Sequence, residues 1–222
     1  MCGRFDLHAR PDTVARSIGA TATEPGLASA QGYNITPGRS ILTVYAGPAP
    51  DTPALGLAGW GFRPQWAGDD APAPINARAE TVATSRYFRD AFARRRCLIP
   101  ANGWFEWQQT STGKQPWYVT ATDTPLIFYA GLWADSDQAP GRCCAIITEP
   151  ARGVAETIHP RMPLVLAPEA AATWLDPSLT TRKAIRRAVH RLDPDRLSAW
   201  PVSTRVNRPG EDDATLLDPV EG

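Results

Sequence analysis

Cys97-Leu-Ile-Pro-Ala-Asn-Gly-Trp-Phe-Glu-Trp-Gln-Gln-Thr-Ser-Thr-Gly-Lys-Gln-Pro-Trp-Tyr-Val-Thr120 is the stretch from which the architecture can be read. Cys97–Pro100, Trp104–Gln108 and Trp117–Thr120 are short aromatic or aliphatic runs bounded by Gly, Pro, Asn and Thr, the pattern of strands. Between the last two, Thr110-Ser-Thr-Gly-Lys114 carries the composition of a hairpin connection. Working outward, Leu126–Trp133, Cys143–Thr148 and Pro163–Leu166 read as further strands, as do Ile41–Ala46 and Leu55–Trp60 on the other side. Helical stretches are expected at Pro11–Ile18, Tyr87–Arg95, Ala151–Ile158, Glu169–Leu175 and Thr181–Val189, the last charged on most faces and therefore superficial. Gly47–Pro53 and Gly68–Pro74, the latter with Asp69 and Asp70, read as Pro/Ala-rich loops. Many short strands with segregated helices predict an α+β class: a β-rich domain with a curled, barrel-like antiparallel sheet and short peripheral helices. With no repeat and no linker, residues 1–222 are expected to form one domain.

Composition narrows the function classes. The chain holds 22 prolines and 17 glycines in 222 residues, heavily punctuated but below the roughly 25–30% typical of low-complexity disorder. No apolar run approaches the ~20 residues that cross a bilayer. Twenty-three basic and 23 acidic residues cancel, so no global field recruits a polyanion and any such site must be a local stripe. Only Lys114 and Lys183 are lysines; base composition of the gene explains that bias, and arginine also suits phosphate and aromatic stacking. Cysteines at 2, 97, 143 and 144 lack metal-ligand spacing, and His8, His159 and His190 form no cluster. No signal peptide is evident. The expectation is a reducing cytoplasm, no disulfides, no structural metal and no cofactor.

Chemistry concentrates in four places. Cys2 follows the initiator Met1, whose removal leaves a 1,2-aminothiol. Such a group joins a thiol of free pKa about 8.5 to an α-amine near 7.7–8.0. It can attack an amide, or condense with an aldehyde and close to a thiazolidine. Ile75-Asn-Ala-Arg-Ala-Glu-Thr81 places Asn76, Arg78 and Glu80 at alternate positions, on one side of an extended segment. Glu106 stands alone among aromatics, where desolvation raises a carboxyl toward the range useful for proton transfer. His159 lies between a helix and a strand in Thr157-Ile-His-Pro-Arg-Met-Pro163. Each residue alone has a bland structural reading.

Together the blocks resemble a known family. Met1-Cys-Gly-Arg-Phe5, the Asn76–Thr81 run, Cys97–Trp107, Ile158-His-Pro-Arg-Met-Pro-Leu-Val-Leu166 and Pro201-Val-Ser-Thr-Arg-Val-Asn207 stand in the order seen in the SRAP (SOS-response-associated peptidase) family of abasic-site processing proteins. The resemblance implies a single β-rich domain that crosslinks its N-terminal cysteine to the ring-opened sugar aldehyde of an abasic site in single-stranded DNA. By the same resemblance Cys2, Asn76, Glu106 and His159 are catalytic, and Asn34, Pro37, Trp66, Arg78, Arg86, Trp107 and Arg161 contact DNA. It implies a monomer without a membrane partner, acting in the DNA damage response, with Met1 removed by self-catalysis or by an aminopeptidase. Two features depart from the family pattern: Pro160 beside His159, and the acidic tail Asn207-Arg-Pro-Gly-Glu-Asp-Asp213. The competing readings are an N-terminal-nucleophile amidohydrolase, which shares only the first three residues, and a non-catalytic nucleic-acid- or protein-binding module.

Overall fold

The computed structural model describes residues 2–22, 24–47, 52–68 and 70–220; Met1, Asp69 and most of the expected Gly47–Pro53 loop lie outside the described residues. In chain order the strands are β1 Phe5–Leu7, β2 Thr21–Ala22, β3 Gly32–Ile35, β4 Ser40–Ala46, β5 Pro53–Trp60, β6 Asn76–Arg78 and β7 Arg96–Ala101. They continue with β8 Gly103–Thr110, β9 Gly113–Ala121, β10 Ile127–Asp135, β11 Arg142–Pro150, β12 Arg161–Pro163, β13 Val165–Leu166 and β14 Leu197–Pro201. The helices are short: α1 Pro11–Ile18, α2 Arg89–Arg94, α3 Ala170–Leu175 and α4 Arg182–Ala188.

Two sheets result. One runs β14-β9-β8-β1-β3; the other runs β12-β11-β10-β7-β4-β5-β2, with β6 beside β11 and β13 beside β10. The second curls far enough for β5 to meet β11 again in parallel, through Cys143↔Gly59 and Cys144↔Trp60. The expected α+β class with a curled, barrel-like sheet and small peripheral helices is what the chain forms.

The chain passes from one sheet to the other inside the opening stretch of sequence. β7 ends at Ala101, β8 starts at Gly103, and Asn102 makes the corner. Its Oδ1 accepts from the N–H groups of His8 at 2.9 Å and Ala9 at 3.0 Å, and its Nδ2 donates to the Pro125 carbonyl. Gly103 is required by crowding: a Cβ there would sit 2.4 Å from the Tyr118 ring and 2.6 Å from the Val119 carbonyl oxygen. Gly103→Ala is therefore expected to cost about 1–3 kcal/mol through overpacking, read as a lower urea midpoint at unchanged slope.

Alternation along β8 sorts its side chains into two compartments. Trp104 belongs to the main core, where Phe5 packs edge-on against Trp60 at 5.2 Å and Tyr129 at 6.0 Å. Phe105 faces a smaller cluster with Tyr118, Val202, Val206 and Leu216, and Trp107 packs against it. The β8–β9 hairpin closes at Thr110↔Gly113, as the turn composition predicts.

Several local expectations need correction. The stretch Ala151–Ile158 is a 3₁₀ turn over Gly153–Thr157 rather than an α-helix. Gly153 enters it at φ 58° against Pro194, where a Cβ would meet atoms at 2.9 Å. The strand expected over Pro163–Leu166 is broken in two, because Arg161–Pro163 pairs with β11 and Val165–Leu166 with β10. Glu80 does not share the side of Asn76 and Arg78: the extended segment ends at Arg78 and Glu80 lies in the following turn.

Candidate active site

Cys2, Asn76, Glu106 and His159 come from four separate parts of the chain and form a linked series, Asn76 to Cys2, Cys2 to Glu106 and Glu106 to His159, at the edge of the main core. Cys2, just before β1, is fully buried. The amide nitrogen of Asn76, on β6, donates to the Cys2 carbonyl at 2.9 Å. The register explains this placement, since Asn76 pairs with Ile146 and Ala77 with Ile147 on β11. Asn76 Oδ1 is buried and has no hydrogen-bond donor among the described residues. An acceptor buried without a donor costs about 1–3 kcal/mol, so this oxygen suits a water, hydroxyl or amine as its partner.

Glu106 follows Trp104 by two residues and so shares its inward face. It is 4% exposed, and burial pushes its carboxyl up from the usual range, while His159 and the Trp107 N–H pull the other way. His159 Nδ1 stands 3.9 Å from Glu106 Oε2. Gln108, two residues beyond Glu106, donates to the Thr157 carbonyl at 2.8 Å and ties the 3₁₀ turn before His159 to β8. The backbone of Arg161 serves the ring in either tautomer: Nδ1 lies 3.0 Å from the Arg161 backbone nitrogen and 3.1 Å from its carbonyl oxygen. Pro160, between His159 and Arg161, accepts from the Ala151 N–H at its carbonyl at 3.0 Å.

The Cys2 thiol is pushed well above its ordinary value by burial and next by the Glu106 carboxylate, against a smaller pull from the Arg4 N–H. It is a neutral thiol in this setting. A buried carboxyl and an amide thus flank residue 2, with an imidazole behind the carboxyl, a set suited to moving protons.

The expected DNA-contacting residues fall into three groups. Arg78 and Arg86 are exposed. Trp66, on the 3₁₀ turn Gln65–Ala67, is 68% exposed and stands edge-on to Tyr87 at 5.4 Å. Pro37 is exposed on the turn Thr36–Arg39, where Gly38 takes φ 85°, a conformation glycine adopts freely. Trp107 is half-buried, its Nε1–H donating to Asn207 Oδ1 at 2.8 Å with the Arg4 guanidinium 5.9 Å from its ring centre. Arg161 is engaged by Glu80 in an ion pair and donates to the Thr148 carbonyl at 2.6 Å.

Asn34 is the exception. It is fully buried rather than on the surface. Its Nδ2 donates to the carbonyls of Val206, Arg208 and Glu211, and its Oδ1 accepts from Arg4 at 2.8 Å. It fastens the tail instead of presenting itself to a ligand. The acidic tail lies at the surface but is tied back onto the domain: Asp212 accepts from the Asn34 N–H at 3.0 Å, and Glu211 and Asp213 pair with Arg205 at 2.5 and 2.6 Å. Arg4, which donates to the Val206 carbonyl at 2.6 Å, joins the start of the chain to this tail and to Trp107, a tie that the sequence reading passed over. The signal was its position two residues after Cys2, on the same side of an extended chain.

Comparison with known proteins agrees with this architecture. The family model of the SOS response associated peptidase (SRAP) matches residues 1–209. The abasic site processing protein YoaM of Bacillus subtilis is 33% identical over 224 residues, covering 98% of each chain. The abasic site processing protein YedK of Escherichia coli is 35% identical over 193 residues, covering 85% of this chain and 84% of its own. Among solved structures, a Bacteroides thetaiotaomicron protein superimposes with a TM-score of 0.86 at 23% identity, over 99% of this chain and all of its own. A phage-related protein of Bordetella bronchiseptica superimposes with a TM-score of 0.72 at 30% identity, over 90% of this chain and 94% of its own. With the family model spanning nearly its whole length and relatives a third identical from end to end, the chain belongs to the SRAP family.

Proposed function

We propose that residues 1–222 act as a single abasic-site processing domain, which holds single-stranded DNA and links Cys2 covalently to the aldehyde of the opened sugar. The observation that carries this reading is the approach of Asn76 and Glu106 to Cys2, with His159 3.9 Å behind Glu106. Abasic site processing is the activity in the names of YoaM and YedK.

The state of the thiol sets the order of steps. A neutral, buried thiol is a poor first nucleophile. The α-amine exposed by removal of residue 1 attacks instead, once Glu106 accepts its proton. His159 donates a proton to the ring oxygen of the sugar as the C1–O bond breaks, and the anomeric hydroxyl gives up its own proton to solvent as the aldehyde forms. The amine adds to the aldehyde carbon, the carbinolamine loses its hydroxyl as water, and an imine forms. The Cys2 sulfur then bonds to the imine carbon, its proton passes to the imine nitrogen, and a five-membered thiazolidine results. Asn76 holds the residue-2 carbonyl throughout and offers Oδ1 to the amine or a sugar hydroxyl. An amidohydrolase would need a thiolate first, which burial and Glu106 both oppose.

Incubating the processed protein with a single-stranded oligonucleotide bearing an abasic site should give an adduct that survives denaturing electrophoresis. Reversible binding alone would overturn the reading. Binding should divide into two kinds of interaction. Arg78→Ala is expected to flatten the salt dependence of strand affinity by roughly 0.7 in log–log slope for each phosphate it neutralises. Trp107→Ala should weaken binding by removing a stacking platform, about 1–3 kcal/mol per base, at nearly constant slope. A salt titration of both variants checks this.

A further inference from the structure

Helix α4 places four cations in seven residues, Arg182, Lys183, Arg186 and Arg187, with no acidic residue among them. All four are exposed, and Ile185 alone on the helix is buried. Thr181 caps the start, its Oγ1 accepting from the Ala184 N–H at 3.2 Å. Arg182 and Arg186, Lys183 and Arg186, and Lys183 and Arg187 are like-charged neighbours at helical spacing, each pair destabilising by about 0.2–0.5 kcal/mol. Elsewhere many arginines are matched: Arg142 with Glu24, Arg95 with Asp135, Arg152 and Arg191 with Glu149, Arg196 with Asp123. Among the described residues none of the four α4 cations is in an ion pair with a carboxylate. In a chain of zero net charge, positive potential therefore accumulates on this helix.

Its position is fixed relative to the proposed strand path. The Arg186 guanidinium donates to the carbonyls of Ala79 at 3.2 Å and Glu80 at 3.5 Å, the two residues that follow Arg78. The unpaired cations of α4 thus lie one turn of chain from Arg78, with the Glu80 carboxylate of that turn taken up by Arg161.

We propose that the exposed face of α4 is a second phosphate track, which takes the backbone of the single DNA strand outside the segment held at Cys2. Arg182, Lys183 and Arg187 supply the phosphate ligands, and Arg186 locks the helix to the Arg78 turn. The track rests on the strand-binding reading above but is separable from the chemistry at residue 2.

The test is a triple variant, Arg182→Gln, Lys183→Gln and Arg187→Gln, which leaves Arg186 and its tie intact; thermal unfolding verifies that it folds. Affinity is measured against salt for lesion-centred single strands of about 5 and about 20 nucleotides, bracketing the roughly 4–16 that one strand-binding domain occupies. The same two lengths without the lesion are measured in parallel, and single-turnover crosslinking is followed at saturating DNA. The track predicts a loss of about tenfold on the long strand, with the slope shallower by roughly 0.7 per phosphate released. It also predicts unchanged affinity for the short strand and an unchanged crosslinking rate at saturation. Equal losses on both lengths, or none on the long strand, overturn it. Preference for duplex or RNA of the same length, abolished by the same substitutions, assigns α4 to that partner instead and overturns it too. If wild-type protein forms no adduct while the long-strand loss persists, the crosslinking reading fails and the track stands.

Discussion

Cys2→Ala is expected to abolish the heat-stable adduct while leaving strand affinity within about twofold, as for a change distant from the phosphate-binding cations. The amine survives this substitution, so a transient imine remains available, but no sulfur is present to close it. Cys2→Ser keeps a nucleophile of the same shape and should yield an imine trapped by borohydride and a less persistent end product. Cys97, Cys143 and Cys144 cannot substitute, since all three are buried and none carries a free α-amine. An adduct of wild-type yield from Cys2→Ala would overturn the assignment of the reacting residue. A retained N-terminal extension gives the complementary control: acylation removes the amine's basic lone pair, and mass spectrometry should find the extended protein free of DNA.

Glu106→Gln should slow crosslinking by about 10²–10⁴-fold, the usual range for general acid–base assistance, with binding intact. Glutamine keeps the shape and hydrogen-bonding capacity of the carboxyl and gives up the proton transfer. His159→Ala should fall in the same range or below, by slowing ring opening. The rate should decline as pH falls below the α-amine range near 7.7–8.0, because a protonated amine cannot attack. Burial raises the Glu106 carboxyl, so its loss of base function on acidification begins above the ordinary carboxylate range and steepens the same limb. Single-turnover rates across pH with excess protein, at matched DNA occupancy, measure this. Unchanged rates in both variants would leave Cys2 acting without these partners.

The strands with clear composition were legible because side-chain alternation and turn chemistry are local. Trp104, Phe105, Glu106 and Trp107 are one such case: a period of two separates the main core from the smaller cluster without any tertiary knowledge. Phe5–Leu7, Gly32–Ile35 and Leu197–Pro201 were not legible. They are short, and their pairing is decided by partners far along the chain, β8 for the first and β9 for the last. The direction of the Glu106 shift could be anticipated from its aromatic neighbours. Its approach to His159 could not, since it depends on Gln108 holding the Thr157 turn. Asn34 shows the limit most directly. A buried asparagine that satisfies three carbonyls and a surface asparagine that meets a ligand look alike in sequence, and only the fold of the tail separates them.

The Arg4–Val206 hydrogen bond spans 202 residues, and Asn34 reaches as far as Glu211. During vectorial synthesis the first residues emerge long before the segment that braces them. The packing around residue 4 therefore cannot be finished until almost the whole polypeptide has left the ribosome. Premature termination anywhere before Val206 yields a product carrying Cys2 but lacking its brace. Completeness of translation is in this way built into the surroundings of residue 4, which no shorter product can assemble.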